Sequence, residues 1–84
     1  MQELIHFTAD WCQPCKKMAP LIEEYLNNNP GIIYTKVDVD TDSAFVEEYS
    51  VRGVPTFIVK TNNEITNSHT GIATLEKFAK LFDN

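Results

Sequence analysis

The sequence contains little positive charge, only two cysteines and no long run of apolar residues. Its Lys and Arg residues number 7 against 12 Asp and Glu, which gives a formal net charge of −5. This balance argues against non-specific nucleic-acid binding, because that binding needs a basic surface. No apolar stretch approaches the roughly 20 residues of a membrane-spanning helix. We therefore expect no nucleic-acid partner and no membrane association.

The amino terminus also lacks a recognisable targeting segment. Met1, Gln2 and Glu3 supply neither the basic region nor the apolar region of a secretory signal, so we expect a cytoplasmic protein. A length of 84 residues with 43% apolar content suits one globular domain. We expect this domain to span residues 1–84 and to be a monomer.

The two cysteines, Cys12 and Cys15, are separated by Gln13-Pro14 and preceded by Trp11. A disulfide that closes so small a loop removes little entropy from the unfolded chain. The spacing suits thiol–disulfide exchange instead, because the second thiol can resolve a mixed disulfide formed by the first. A helix that begins at Cys12 would direct backbone N–H groups and its positive dipole end at the sulfur, which favours the thiolate. We interpret the pair as a redox site.

A zinc or iron–sulfur centre is the alternative interpretation of a close cysteine pair in a reducing cytosol. A structural zinc ion needs about four ligands. Beyond the cysteines, only His6 and His69 could donate nitrogen, and neither belongs to a second spaced pair. We therefore expect no metal.

Hydrophobic periodicity predicts the order β-α-β-α-β-β-α, which is an α/β fold with a mixed sheet and helices on both faces. Predicted strands cover residues 4–7, 32–39, 56–60 and 64–70, and the last of them is polar enough to be an edge. Predicted helices cover residues 12–28 and 43–49 and follow a cap at Thr74. The residues expected to face the core from the first and last helices are Cys15, Met18, Ala19, Ile22, Tyr25, Leu26, Leu75, Phe78, Ala79 and Phe82.

Trp11-Cys12-Gln13-Pro14-Cys15-Lys16, on a strand-to-helix turn, resembles the active-site motif of the thioredoxin family. Further segments match in order and spacing: Ala19-Pro20, Lys36-Val37-Asp38-Val39-Asp40, Arg52-Gly53-Val54-Pro55-Thr56 and Gly71. The resemblance implies a thioredoxin-like fold with strand order 2-1-3-4 and an antiparallel last pair. Because Leu4 lies so near the start, it implies the minimal four-stranded core, without the strand and helix that open a full-length thioredoxin.

The resemblance also implies a thiol–disulfide oxidoreductase that reduces protein disulfides. Cys12 would be the accessible nucleophile and Cys15 the buried resolving cysteine, and a Cys12–Cys15 disulfide would remain on the enzyme. No bound cofactor would be needed, because electrons would come from NADPH through a thioredoxin reductase-like enzyme. The partners would be that reductase and disulfide-containing target proteins.

The family pattern further implies a substrate-binding surface around the cysteines. In the family, the proline that Pro55 matches follows a cis peptide bond and faces the cysteines, which leaves the preceding backbone free to pair with an extended substrate. By this resemblance the substrate-binding residues are Trp11, Gln13, Pro14, Gly53, Val54, Pro55, Gly71 and Ile72.

Two departures from the family affect the chemistry. Gln13-Pro14 stands where Gly-Pro is usual, which bears on the redox potential. His6 stands at the position of a buried Asp, so we expect it to face the active-site helix beneath Cys15. His6 is either a core residue satisfied by one hydrogen bond or a neutral acceptor for the Cys15 proton. Lys36 is either exposed or close enough to this buried group to tune its pKa.

Three other functions stay open. A glutathione-dependent, glutaredoxin-like enzyme would suit the chain length, but Trp11 and the segment Gly71-Ile72-Ala73-Thr74 do not fit the glutaredoxin pattern. A non-catalytic binding module could use the same fold as a docking surface. A disulfide-forming oxidant is a third alternative, made less favourable by the missing signal peptide.

Overall fold

The computed structural model describes residues 1–83 and confirms the predicted order of elements. Within these residues, three helices and four strands follow one another in the predicted order β-α-β-α-β-β-α. Their bounds are β1 (Gln2–Thr8), α1 (Gln13–Asn28), β2 (Ile33–Asp38), α2 (Ser43–Glu48), β3 (Thr56–Thr61), β4 (Glu64–Thr70) and α3 (Leu75–Lys80). Among residues 1–83, no helix is long and apolar enough to cross a membrane.

The strands form one sheet in the order β2-β1-β3-β4, as expected. β1 runs parallel to β2, with His6 opposite Lys36, and antiparallel to β3. The central position of β1 follows from its sequence, because Leu4, Ile5 and Phe7 are almost fully buried and a strand covered on both faces must be apolar. His6 therefore lies on one of the two inner strands, two residues before the end of β1 that leads to the cysteines.

β4 is the edge strand that its polar sequence predicts, and it pairs with β3 through a tight turn. Asn62 and Asn63 form this turn with φ of 52° and 72°. Both values lie in the left-handed region that Asn tolerates better than most residues, and a two-residue turn of this kind matches the twist of the flanking strands.

Alternation along β1 divides the core between the two faces of the sheet. Leu4 packs on one face with residues of α1 and α3, around Met18 and Phe78. Ile5 and Phe7 pack on the other face, against which α2 lies. Helices therefore cover both faces, as predicted.

Two residues expected in the core lie elsewhere. Ala19 is exposed because its face of α1 borders an open cavity, and Leu75 is 43% exposed at the start of α3. At this end of the chain Phe78, Leu81 and Phe82 are buried. Phe78 lies in α3, and Leu81 and Phe82 follow its last residue, three and four positions after Phe78. Leu81 was absent from the predicted core.

Candidate active site

The redox pair lies at the start of α1, where Cys12 is the N-cap residue. Its backbone is extended, and its sulfur accepts a hydrogen bond of 3.2 Å from the backbone N–H of Cys15. Cys12 and Cys15 are joined by a disulfide, with their Cα atoms 5.3 Å apart. The predicted pairing is therefore present, and the sulfur of Cys12 has the backbone donor that the helix start was expected to supply.

Exposure does not distinguish the two cysteines. We expected Cys12 to be accessible and Cys15 to be buried, but each is only 3% exposed in the disulfide form. The reason is packing: both cysteines cluster with Ala9, and Val39 and Val54 lie against this cluster. The two sulfurs still differ in their position at the start of α1, because only the Cys12 sulfur accepts a capping hydrogen bond from the backbone.

The segment before β3 lies beside the cysteines as predicted. The Val54–Pro55 peptide bond is cis, Val54 packs against the cysteine cluster and Pro55 is fully buried. The N–H of Gly71 donates a hydrogen bond of 2.8 Å to the carbonyl of Pro55. Gly71 has φ of 106°, a conformation that favours glycine. The end of β4 is thereby attached to the cis-proline loop.

A shallow groove of about 260 Å³ runs between Trp11 and this loop. Of the predicted substrate-binding residues, the structure brings Trp11, Gly53 and Val54 into it. Trp11 is 65% exposed, and its indole N–H donates a hydrogen bond of 2.8 Å to Asp40. Sequence reasoning missed the other residues that line the groove, which are Val39, Val46, Val51 and Arg52.

The remaining predicted substrate-binding residues do not line this groove. Gln13 and Pro14 are exposed in the first turn of α1, and Ile72 is 58% exposed after Gly71. Pro55, which follows Val54 in the same loop, is fully buried. An exposed aromatic ring beside apolar side chains and a turn of accessible backbone can hold an extended polypeptide.

His6 is buried on the α1 side of the sheet, with 3% of its surface exposed. Its ring stacks on Phe57 at 4.8 Å between centroids, and its Nδ1 shares a hydrogen bond of 2.9 Å with the Tyr34 hydroxyl. Its Nε2 is buried and has no hydrogen-bond partner among residues 1–83. Burial, and then the positive charge of Lys36, lower the pKa of His6 from 6.5 to about 4. The ring is therefore neutral at physiological pH.

His6 and Cys15 line the same cavity of about 460 Å³, which lies between α1 and β2. Lys36 also lines it, and it combines both roles that the sequence left open. It is exposed, yet it lies opposite His6 in the strand register and acts on the pKa of His6. The structure thus brings His6, its basic neighbour Lys36 and Cys15 around one cavity.

Sequence reasoning missed Tyr34 and Asp40. The signal for Tyr34 was available, because alternation in β2 places residues 34, 36 and 38 on one side and Val37 on the other. The sequence did not show which side of β2 faces His6, because that depends on the parallel pairing of β1 with β2. Asp40 follows β2 in a turn, and no pattern in the sequence connects it with Trp11.

Comparison with known proteins agrees with this geometry. The thioredoxin family model matches residues 1–84. The chain is 46% identical over 55 residues to an H-type thioredoxin from Oryza sativa subsp. indica, a match that covers 66% of this chain and 45% of that protein. It is 36% identical over 81 residues to thioredoxin-1 from Caenorhabditis elegans, covering 96% of this chain and 70% of that protein.

A solved structure, that of Fasciola hepatica thioredoxin, has a TM-score of 0.87 and 30% sequence identity, and covers 94% of this chain and 75% of its own. The chain spans about half the length of the rice relative, at 45%. The family match extends over every segment from which the site is built, from β1 through the cysteines to Gly71. The chain belongs to the thioredoxin family.

Proposed function

We propose that this protein reduces disulfides in other proteins by dithiol–disulfide exchange at Cys12 and Cys15. The observation that carries the proposal is the position of Cys12 at the N-cap of α1. There it is disulfide-bonded to Cys15, and its sulfur accepts a hydrogen bond from the backbone N–H of Cys15. A sulfur at a helix start is stabilised as a thiolate, which is the nucleophile in this chemistry.

The reaction proceeds in two displacements. The Cys12 thiolate attacks one sulfur of the target disulfide, a mixed disulfide forms, and the other target sulfur leaves as a thiolate. Cys15 then loses its proton and attacks the Cys12 sulfur, which forms the Cys12–Cys15 disulfide and releases the second target sulfur. The target gains two electrons and the enzyme dithiol loses two.

The groove between Trp11 and the cis-proline loop is proposed as the docking surface for the target. Gly53 and Val54 would present backbone to an extended segment, while Trp11 would cover it. Gln13, Pro14 and Ile72 are exposed around the site and would contact the same partner, and Gly71 holds the loop in place through Pro55.

His6 is proposed as the acceptor for the Cys15 proton. It is neutral, it has an unpaired ring nitrogen among the described residues, and it lines the cavity that Cys15 also lines. The charge of Lys36 disfavours the protonated ring, so Lys36 would limit how long the proton stays on His6.

We further propose that the electrons come from NADPH through a thioredoxin reductase-like enzyme and that the protein acts in the cytoplasm, as a monomer and without a bound cofactor. Its partners would be that reductase and proteins with accessible disulfides. The relatives, which are named thioredoxins, support only the general part of this proposal, a reductase and disulfide-containing targets.

The test is the reduction of insulin disulfides by the purified protein, with NADPH and thioredoxin reductase in one arm and glutathione with glutathione reductase in the other. We expect turnover in the first arm and its loss in both Cys12→Ser and Cys15→Ser. Turnover only with glutathione would establish the glutaredoxin-like alternative. Absence of turnover in both arms, with a cysteine-free variant that keeps its protein partners, would establish a binding module.

The resolving-cysteine variant also identifies the targets. Because Cys15→Ser cannot resolve the mixed disulfide, it should retain target proteins through Cys12 until a reductant releases them. The matched control is the double variant Cys12→Ser with Cys15→Ser, which should retain none. Equal retention by both variants would contradict covalent capture.

A further inference from the structure

Tyr34 connects the buried imidazole of His6 with the protein surface. Its hydroxyl lies 2.9 Å from Nδ1 of His6, and the residue is 39% exposed on the edge strand β2. It lines the cavity that His6 and Cys15 share. Burial raises the pKa of Tyr34, so the hydroxyl stays protonated and can both donate and accept a hydrogen bond.

The burial of the other ring nitrogen decides which atom of His6 carries the proton. Nε2 has no partner among residues 1–83, whereas Nδ1 has the Tyr34 oxygen. An N–H buried without an acceptor is rarer in proteins than an unpaired acceptor. The favourable tautomer therefore has the hydrogen on Nδ1, donated to Tyr34, and a lone pair on Nε2. The Tyr34 hydroxyl hydrogen is then free to bond with water at the surface.

We propose that Tyr34 is a positioning residue of the redox site: its hydroxyl holds His6 in the tautomer whose Nε2 accepts the proton of Cys15, and it passes a proton between Nδ1 and solvent. This inference rests on the proposed function, because it concerns the resolving step of dithiol exchange.

The step is balanced as follows. Nε2 takes the proton of the Cys15 thiol, directly or through one water in the cavity, and the Cys15 sulfur attacks the Cys12 sulfur of the mixed disulfide. As Nε2 gains its proton, Nδ1 releases its own to the Tyr34 oxygen, and the Tyr34 hydroxyl hydrogen passes to water. In the disulfide form the neutral ring then returns to the tautomer with hydrogen on Nδ1, because Nε2 gives its proton to water in the cavity and Nδ1 regains one from water through Tyr34. When the enzyme disulfide is later reduced, the Cys15 thiolate recovers a proton from water in the cavity.

The surroundings of His6 explain why a proton that reaches the ring needs a path to solvent. The charged side chains that line its cavity are Asp10, Lys16, Glu23, Lys36 and Asp38. Of these, Lys36 lies opposite His6 and lowers its pKa in addition to burial, while Phe57 supplies an apolar ring on the other side. Because a protonated His6 is unfavourable here, a proton that arrives at Nε2 must leave at Nδ1.

The experiment mixes the reduced protein with a chromophoric aryl disulfide in a single turnover. The first equivalent of released aryl thiol reports the attack by Cys12, and the second reports resolution by Cys15. In Tyr34→Phe we expect an unchanged first phase and a second phase slowed roughly tenfold at neutral pH. The deficit should shrink as pH rises, because hydroxide replaces the relay. Tyr25→Phe removes a hydroxyl from a residue that does not line the cavity of His6, and it should match the wild type in both phases.

Two further measurements separate positioning from a structural effect. In a His6→Asn background, Tyr34→Phe should slow resolution no further, because both residues act in one relay. Nitrogen-15 NMR of the wild type should show His6 protonated at Nδ1 and unprotonated at Nε2, with His69 on β4 as the internal reference. This measurement does not depend on whether any variant folds.

The proposal would be overturned by a Tyr34→Phe variant that resolves at the wild-type rate, or by a wild-type His6 protonated at Nε2. The failure of the proposed function has a different signature. In that case the wild-type protein would release no second equivalent of aryl thiol, and it would reduce insulin no faster than Cys12→Ser does.

Discussion

His6 occupies a position where burial and the charge of Lys36 make its protonated form unfavourable. Its ring is buried against Phe57, one nitrogen bonds Tyr34, and Lys36 lies opposite it on β2. The neutral ring is therefore a property of the folded state, and the unfolded chain, with an ordinary imidazole pKa, binds a proton more readily. His6 must therefore make a contribution of its own to the pH dependence of the free energy of unfolding.

We expect the folded state to lose stability as pH falls below 6.5. Because the pKa of His6 is lowered to about 4, its contribution is complete above 6.5 and decreases as pH falls from 6.5 toward 4. The loss should reach about 2 kcal/mol near pH ~5. Urea unfolding at a series of pH values measures it.

The matched control for this pH dependence is His6→Asn. This variant should flatten the profile between neutral pH and 5, because Asn does not titrate. A wild-type profile that is flat over this range would contradict the buried, neutral His6.

At the scale of elements, the junction between β4 and α3 fixes the loop beside the cysteines. Gly71 ends β4 with φ of 106° and bonds the Pro55 carbonyl, and Thr74 then caps α3 by accepting a hydrogen bond from the N–H of Lys77. The sequence predicted both the break at Gly71 and the cap at Thr74. The attachment of Gly71 to Pro55 needed the paired strands β3 and β4.

Gly71→Ala should destabilise the protein by roughly 1 to 2 kcal/mol, because the left-handed backbone is unfavourable for a residue with a Cβ. A Cβ at this position would meet no atom within 4 Å, so the cost comes from the backbone alone. Gly31→Ala is the matched control, since it is equally open and lacks a positive φ, and it should change stability by less than about 0.5 kcal/mol. Thermal unfolding of the two variants distinguishes them; equal effects would show that the backbone at Gly71 relaxes.

At the scale of the whole molecule, the larger core depends on Phe78. Its ring makes edge-to-face contacts with Tyr25, Phe57 and Phe82, which joins α3 to α1 and to the centre of the sheet. On the other face of the sheet, α2 packs with partly buried side chains only, because none of its residues is buried. The last helix is therefore the element that closes the α1 face of the domain.

Phe78→Ala should cost about 3 to 5 kcal/mol, because it removes a fully buried ring and leaves a cavity. A chain of this size has a total stability of roughly 4 to 13 kcal/mol, so most of it could be lost. Leu75→Ala, on the same helix but 43% exposed, should cost less than about 1 kcal/mol. Denaturant midpoints measure both; similar losses would mean that Leu75 faces the core, as its sequence position suggested.

The amino-acid sequence by itself determined the order of the elements, the edge position of β4, the turn at Asn62-Asn63 and the redox pair at the start of α1. These features depend on local physics: the periodicity of apolar residues, the conformations open to Asn and Gly, and the spacing of two thiols. They are properties of neighbouring residues, which the sequence places side by side.

The tertiary structure decided the features that depend on contact between distant segments. Tyr34 reaches His6 across 28 residues, Asp40 reaches Trp11 across 29, and Val54 packs against the cysteines, and in each case strand pairing or crossover sets the contact. Periodicity also failed for Ala19 and Leu75, because it gives the face of a helix but not how much of that face a neighbour covers. Burial and shared cavities are set by how elements pack, so the environment of His6 could be known only from the fold.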